Sequence, residues 1–150
     1  MSKRTPYRLS TRSDSNAEGV DPRLLEILHL AIQITLVDFG VPADGGVRTD
    51  ERQHELFTDG NSGADGYVKI SNHQEHADGY GKALDFYAYV DGAASWQRAH
   101  LAMVATAFFQ AASILGHRIT WGGLWESKKP RKTNGIAYGW DMPHIELLED

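Results

Sequence analysis

Residues 71–90, SNHQEHADGYGKALDFYAYV, decide how the chain is read. The second half alternates. Leu84, Phe86, Ala88 and Val90 fall on one side of an extended chain, and Asp85, Tyr87 and Tyr89 on the other. This predicts a strand with an apolar inner face and a carboxylate, Asp85, near its start on the opposite face. The first half carries His73 and His76, and Gly79 and Gly81 let that loop turn back toward the strand. A second alternating run, HIELL at 144–148, puts His144 and Glu146 on one face and Ile145 and Leu147 on the other. If the two strands pair side by side, Asp85 meets His144. A loop histidine, Asp85 and His144 would then form a three-donor set suited to zinc with an open fourth position.

The rest of the chain bounds the reading. At 150 residues it is expected to be a single domain spanning 1–150, with 1–18 as a polar N-terminal tail. Hydrophobic content of 41% and charged content of 23% are those of a globular protein with a real core. A formal net charge of -5 argues against a polyanion-binding surface, so no nucleic acid is expected as a partner. There is no cysteine, so any metal site here uses imidazole and carboxylate alone. The basic N-terminus has no apolar core and is not read as a signal peptide. No stretch reaches the ~20 apolar residues of a membrane span, so no membrane insertion is expected.

Along the chain, Asp21-Pro22 is a strong helix start, with a carboxylate cap followed by proline at the first helical position. The expected helix covers 22–38 and buries Leu24, Leu28 and Ala31. Thr49 caps a short helix, DERQHELF, with an acidic first turn. Residues 59–66, DGNSGADG, read as a solvated loop. Asp59, Asn61 and Asp65 offer oxygens, but no glutamate closes a calcium loop. Asp91-Gly92 turns the chain, Ser95 is the expected cap of a helix over 96–115, and Gly116 stops it. A short strand is expected at 118–121. The basic run KKPRK at 128–132 reads as a solvated loop, with attraction to an anionic polymer as the other reading. The fold class that follows is α+β: a small, mostly antiparallel sheet carrying the zinc site, with helices packed on its other face.

These pieces resemble a known family. The pattern S-x-H-x-x-G-x-A-x-D, followed later by D/E-x-x-H, marks zinc peptidases of the D-Ala-D-Ala carboxypeptidase type. The phage L-alanyl-D-glutamate endolysins share it. Ser71-Asn72-His73-Gln74 and Tyr80-Gly81-Lys82-Ala83-Leu84-Asp85 match it when 75–79 is a five-residue insertion. Asp141-Met142-Pro143-His144 supplies the second part, and Arg48-Thr49 with Gln53 matches an upstream R-[ST]-x-x-x-Q. The likeness runs from about Tyr7 to Leu148.

The resemblance implies a zinc ion held by His73, Asp85 and His144. His73 is preferred to His76 because it keeps the serine two residues before it, which leaves His76 as a loop residue at the cleft rim. Asp141 is implied as the general base. Without the histidine signature it would read as a turn acid before Pro143. Arg48 would bind a substrate carboxylate or stabilise an oxyanion; its other reading is a surface salt bridge. Ser71 would orient a ligand or touch substrate, and Glu146 would hold a ligand imidazole. Trp121, Trp125 and Trp140 read equally as cleft walls or core.

The implied function is zinc-dependent cleavage of the peptidoglycan stem peptide at L-Ala-D-Glu, by a monomer. The rivals are a D-Ala-D-Ala carboxypeptidase or dipeptidase of the same fold, and a catalytically silent wall-binding phage module. The expected location is the host cytoplasm, until a separate membrane-permeabilising factor releases the protein to the wall.

Overall fold

The computed structural model describes residues 6–125 and 139–149. The basic run at 128–132 lies outside them. Helix α1 (Thr11–Asn16) forms inside the stretch read as a polar tail. The Ser10 hydroxyl caps it by accepting from the Ser13 N–H, and Ser13 and Ala17 are buried. Helix α2 (Pro22–Ile34) starts where the sequence predicts, with the Asp21 carboxylate accepting from the Arg23 N–H at 2.9 Å. It ends four residues early. Thr35 is extended, and its hydroxyl donates to the Val37 carbonyl at 2.6 Å, which turns the chain into strand β1 (Asp38–Gly40). Helix α3 (Asp50–Thr58) has its predicted cap, the Thr49 hydroxyl.

The stretch 83–90 departs from the single strand expected of it. It forms β2 (Ala83–Asp85) and β3 (Tyr87–Val90), which belong to different sheets. The break is at Phe86. Its N–H donates to the Pro143 carbonyl at 2.8 Å, and its ring is fully buried between Phe39 and Phe108, with centroids 6.5 and 5.2 Å away. Inside–outside alternation survives the break: Leu84, Phe86 and Ala88 are buried, while Asp85, Tyr87 and Tyr89 are not. Alternation encodes sidedness but not which sheet a residue joins.

Strand β4 (Ala93–Ser95) returns against β3 through a two-residue turn. Asp91 and Gly92 both take positive φ, 53° and 80°, as a tight hairpin requires. Ser95 is therefore in a strand, with its hydroxyl 2.7 Å from His100 Nδ1. Helix α4 (Arg98–Leu115) begins after Gln97, two residues later than predicted. It ends at Gly116 in the left-handed region, as expected. Strand β5 (Ile119–Trp121) and strand β6 (His144–Leu147) complete the elements described.

The architecture is α+β with two three-stranded antiparallel sheets, ordered β1-β3-β4 and β2-β6-β5. The core lies between them and the α2–α4 pair. Leu24, Ile27, Leu28 and Ala31 face Leu101, Val104, Phe108 and Ala111. Each fully buried large side chain there contributes about 1.5–3 kcal/mol relative to exposure. By length and composition α4 would suffice to cross a membrane, but seven of its side chains are buried in this core.

Candidate functional site

Strand register builds the site. β2 and β6 pair antiparallel with Asp85 directly opposite His144, so their side chains emerge together on one face. His73 comes from the loop before β2. The Ser71 hydroxyl accepts from the His73 N–H at 3.2 Å, and the Gln74 amide, itself buried, locks the turn. It accepts from the Ser71 N–H at 2.8 Å, and it donates to Asp50 at 2.9 Å and to the Gly66 carbonyl at 2.8 Å. Ser71 thus orients His73.

Three atoms converge: His73 Nε2, Asp85 Oδ1 and His144 Nδ1. The two nitrogens are 3.2 Å apart, and they lie 3.2 and 3.1 Å from the oxygen. Among the described residues this is the group of imidazoles and carboxylates placed to hold a metal ion. Each ring's tautomer is set from behind. His73 Nδ1 donates to the Gly46 carbonyl at 2.9 Å, which leaves the Nε2 lone pair facing the centre. His144 Nε2 donates to Glu146 Oε1 at 2.8 Å, and Asn72 Nδ2 donates to Glu146 Oε2 at 2.6 Å. That Glu146 would hold an imidazole was legible from its shared face with His144. That Asn72 would in turn hold Glu146 was not, because 74 residues separate them. Gly46 must lack a side chain, since a Cβ there would sit 2.0 Å from the Asn16 carbonyl of α1.

His76 does not join the cluster. Its N–H donates to the Tyr80 carbonyl at 2.9 Å, within the 75–79 stretch. That stretch is held by Asp78, which pairs with Lys82. Lys82 is buried and donates to Asp21 at 2.8 Å, so the loop is tied to the cap of α2. Asp65, in the loop read as solvated, accepts from the N–H groups of Tyr67, Val68 and Lys69 and turns the chain there.

Arg48 is committed to the site on three sides. Its Nε donates to the Asp44 carbonyl at 2.9 Å, Nη1 to Gln53 at 3.1 Å, and Nη2 to Asp85 Oδ2 at 3.2 Å. Asp85 therefore offers one oxygen to the imidazoles and the other to Arg48. Gln53 is fully buried and also donates to Ser62 and to the Ala64 carbonyl, so the 59–66 loop bears on Arg48. Asp141 stands beside the inward-facing nitrogen of His144, its Oδ2 3.7 Å from Nδ1, beyond hydrogen-bond range. Trp121 is core, and its indole donates to the Met142 carbonyl. Trp125 packs on the His144 ring with centroids 5.0 Å apart, and Trp140 lies beyond it at 5.6 Å, half exposed.

In the metal-free chain the charges are interlocked. Burial opposes ionisation of His144, but hydrogen bonds with Asp85 and Glu146 prevail and raise it to about 9. Burial likewise opposes the Asp85 charge, and hydrogen bonds with His144 and His73 prevail to hold it well below the carboxylate range. Burial pushes the Asp141 carboxyl up. A raised folded pKa gives stability that is complete below the unfolded value of about 6.5 and lost as pH climbs through the folded one. The metal-free chain should therefore lose up to roughly 3 kcal/mol between pH 6.5 and 9. The Asp85 contribution is constant across this window and disappears only in acid. Urea unfolding with a chelator present measures this. A flat profile would mean that the His144–Asp85 contact is not made in solution.

No curated protein matches the chain. The crystal structure of ChiX, an L-Ala D-Glu endopeptidase from Serratia marcescens, superposes with a TM-score of 0.72 at 31% identity, covering 94% of this chain and 90% of that one. A family model for the phage L-alanyl-D-glutamate peptidases matches residues 5–148, which takes in Arg48, the His73 loop, both strands of the donor pair and Asp141. Over nearly its whole length, the chain belongs to the phage L-alanyl-D-glutamate peptidase family.

Proposed function

We propose that this protein is a zinc-dependent endopeptidase that cuts the L-Ala-D-Glu amide of the peptidoglycan stem peptide. The carrying observation is the convergence of His73 Nε2, Asp85 Oδ1 and His144 Nδ1 at 3.1–3.2 Å from one another. Three corners of a tetrahedral zinc site with bonds of about 2.0 Å lie about 3.3 Å apart, so the residues fit the ion. Neutral imidazoles whose outer nitrogens are held by a carbonyl and a carboxylate are the donors zinc takes. When bound, the ion supplies Lewis acidity, polarising the scissile carbonyl and bringing water into reach of deprotonation near neutral pH.

The chain's own residues do the rest. Asp141, close to the donors but not among them, takes the proton of the attacking water and returns it to the leaving amine. Burial makes its carboxylate a better base than an exposed aspartate. Arg48 pins Asp85 Oδ2, so that Oδ1 alone faces the imidazoles. Three of its N–H groups are engaged, and a guanidinium has five, so two remain for a substrate oxygen. Trp125 shields the His144 side of the site from water.

A D-Ala-D-Ala carboxypeptidase would use the same donors. The family and the ChiX likeness favour the L-Ala-D-Glu bond. A silent wall-binding module would not need the complete donor set and the proton acceptor beside it. Digestion of purified peptidoglycan followed by mass analysis separates the three. A new N-terminal D-Glu is expected; released D-Ala would indicate the carboxypeptidase, and no product from zinc-loaded protein would indicate the module.

Arg48→Lys should lower kcat/KM by roughly 10- to 100-fold while zinc content at saturation stays the same. Lysine keeps the charge but cannot bridge Asp44, Gln53 and Asp85 at once. Unaltered kinetics would reduce Arg48 to a structural partner of Asp85 with no part in the reaction.

A further inference from the structure

On the outer face of the β1-β3-β4 sheet, helix α1 reaches Gly40 through the buried Ser13, and the rest of the face is aromatic. Antiparallel register sets Tyr89 between Asp38 and Ala94, and Tyr87 beside Gly40. The Trp96 ring lies 5.9 Å from that of Tyr87. Tyr87 is half-buried and lies over Gly40, where a Cβ would come within 2.5 Å of its hydroxyl. That leaves Tyr89 and Trp96 standing out, 45% and 54% exposed, with Tyr89 flanked by Asp38 and the small exposed Ala94.

We propose that this face is a platform for the sugar strand to which the stem peptide is attached. The proposal rests on the L-Ala-D-Glu reading, because that bond lies one residue from the sugar. L-Ala is amide-linked to the lactyl group of muramic acid, and one residue spans about 3.8 Å. A sugar must therefore lie within roughly 10 Å of the bond being cut. Alternation across Phe86 keeps Tyr87 and Tyr89 on the same side of the chain as Asp85. At about 3.3 Å per residue for an unbroken strand, and less across the break at Phe86, their backbones are at most about 7 and 13 Å from it. The aromatic face thus begins at the distance the substrate prescribes.

Its chemistry suits a polysaccharide. Tyr and Trp offer a flat apolar surface with a polar edge, which matches the C–H face and the hydroxyls of a pyranose. The Asp38 carboxylate beside Tyr89 can accept from those hydroxyls.

The test uses glycan strands freed of their stem peptides, in a sedimentation assay with Tyr89→Ser/Trp96→Ser. The whole zinc-loaded chain should co-sediment, and the double variant should bind at least tenfold more weakly. The ratio of kcat/KM for glycan-linked over sugar-free L-Ala-D-Glu peptide should also fall at least tenfold in the variant. No binding by the unaltered chain, equal binding by the variant, or an unchanged ratio would each overturn the platform. So would light scattering that shows a dimer converted to a monomer, since the face would then be a self-contact. Because glycan binding needs no hydrolysis, failure of the endopeptidase reading registers separately, as no cleavage of either peptide.

Discussion

Asp141→Asn should lose about 100- to 10,000-fold in wall-degrading activity, roughly 3–5 kcal/mol of barrier, while binding zinc with unchanged stoichiometry. The amide has nearly the shape of the carboxylate, so the turn that leads into β6 should persist. In that turn the Asp141 N–H donates to the Gly122 carbonyl, and the Asp141 carbonyl accepts from the His144 N–H. What is lost is the capacity to take a proton from the attacking water. Metal analysis and turnover on purified peptidoglycan, measured on the same preparation, separate the outcomes. Loss of zinc would make Asp141 a ligand and displace one of the three donors. Full activity would move the base elsewhere, and Glu146 is a poor substitute because both its oxygens are already bonded, to His144 and Asn72.

The second large effect concerns the two histidines that the sequence leaves in competition. His73→Ala should abolish both zinc retention and activity, because it removes one of three convergent donors and opens a gap beside the part-buried Asp85–His144 pair. His76→Ala should keep both, since that side chain is not among the donors. Equilibrium dialysis against a zinc buffer, with lysis measured in parallel, reads both quantities. Zinc loss on removing His76 instead would mean that the 75–79 insertion has been placed wrongly.

Much of this site was legible in the chain because its geometry is local or periodic. Strand parity placed Asp85 and His144 on matching faces, but a slip by two residues would keep that parity, so their standing directly opposite one another comes from the register of the folded sheet. Asp21-Pro22 and Gly116 marked helix ends through cap chemistry that acts within a few residues. What could not be read is contact between distant segments. Nothing local says that Phe86 should leave one sheet for another. Asp38 and Ala94 have weak strand propensity, so β1 and β4 exist because β3 pairs with them. The Arg48–Asp85 pair spans 37 residues, and sequence left Arg48 open between substrate and salt bridge. The structure gives it a partner inside the site.

β6 is the middle strand of its sheet and the last element along the chain; both of its neighbours, β2 and β5, precede it. Neither flank can hydrogen-bond to the other, so the sheet has no partial form that β6 could join late. Contacts of such long sequence separation form slowly, because the loop must close before pairing repays its entropy. Refolding should therefore be paced by the arrival of this strand, and the three donors should meet only in that step. A metal-sensitive dye followed during refolding would clock it directly: uptake of zinc should keep time with the slowest phase of tertiary structure and lag behind the helical signal of α2 and α4.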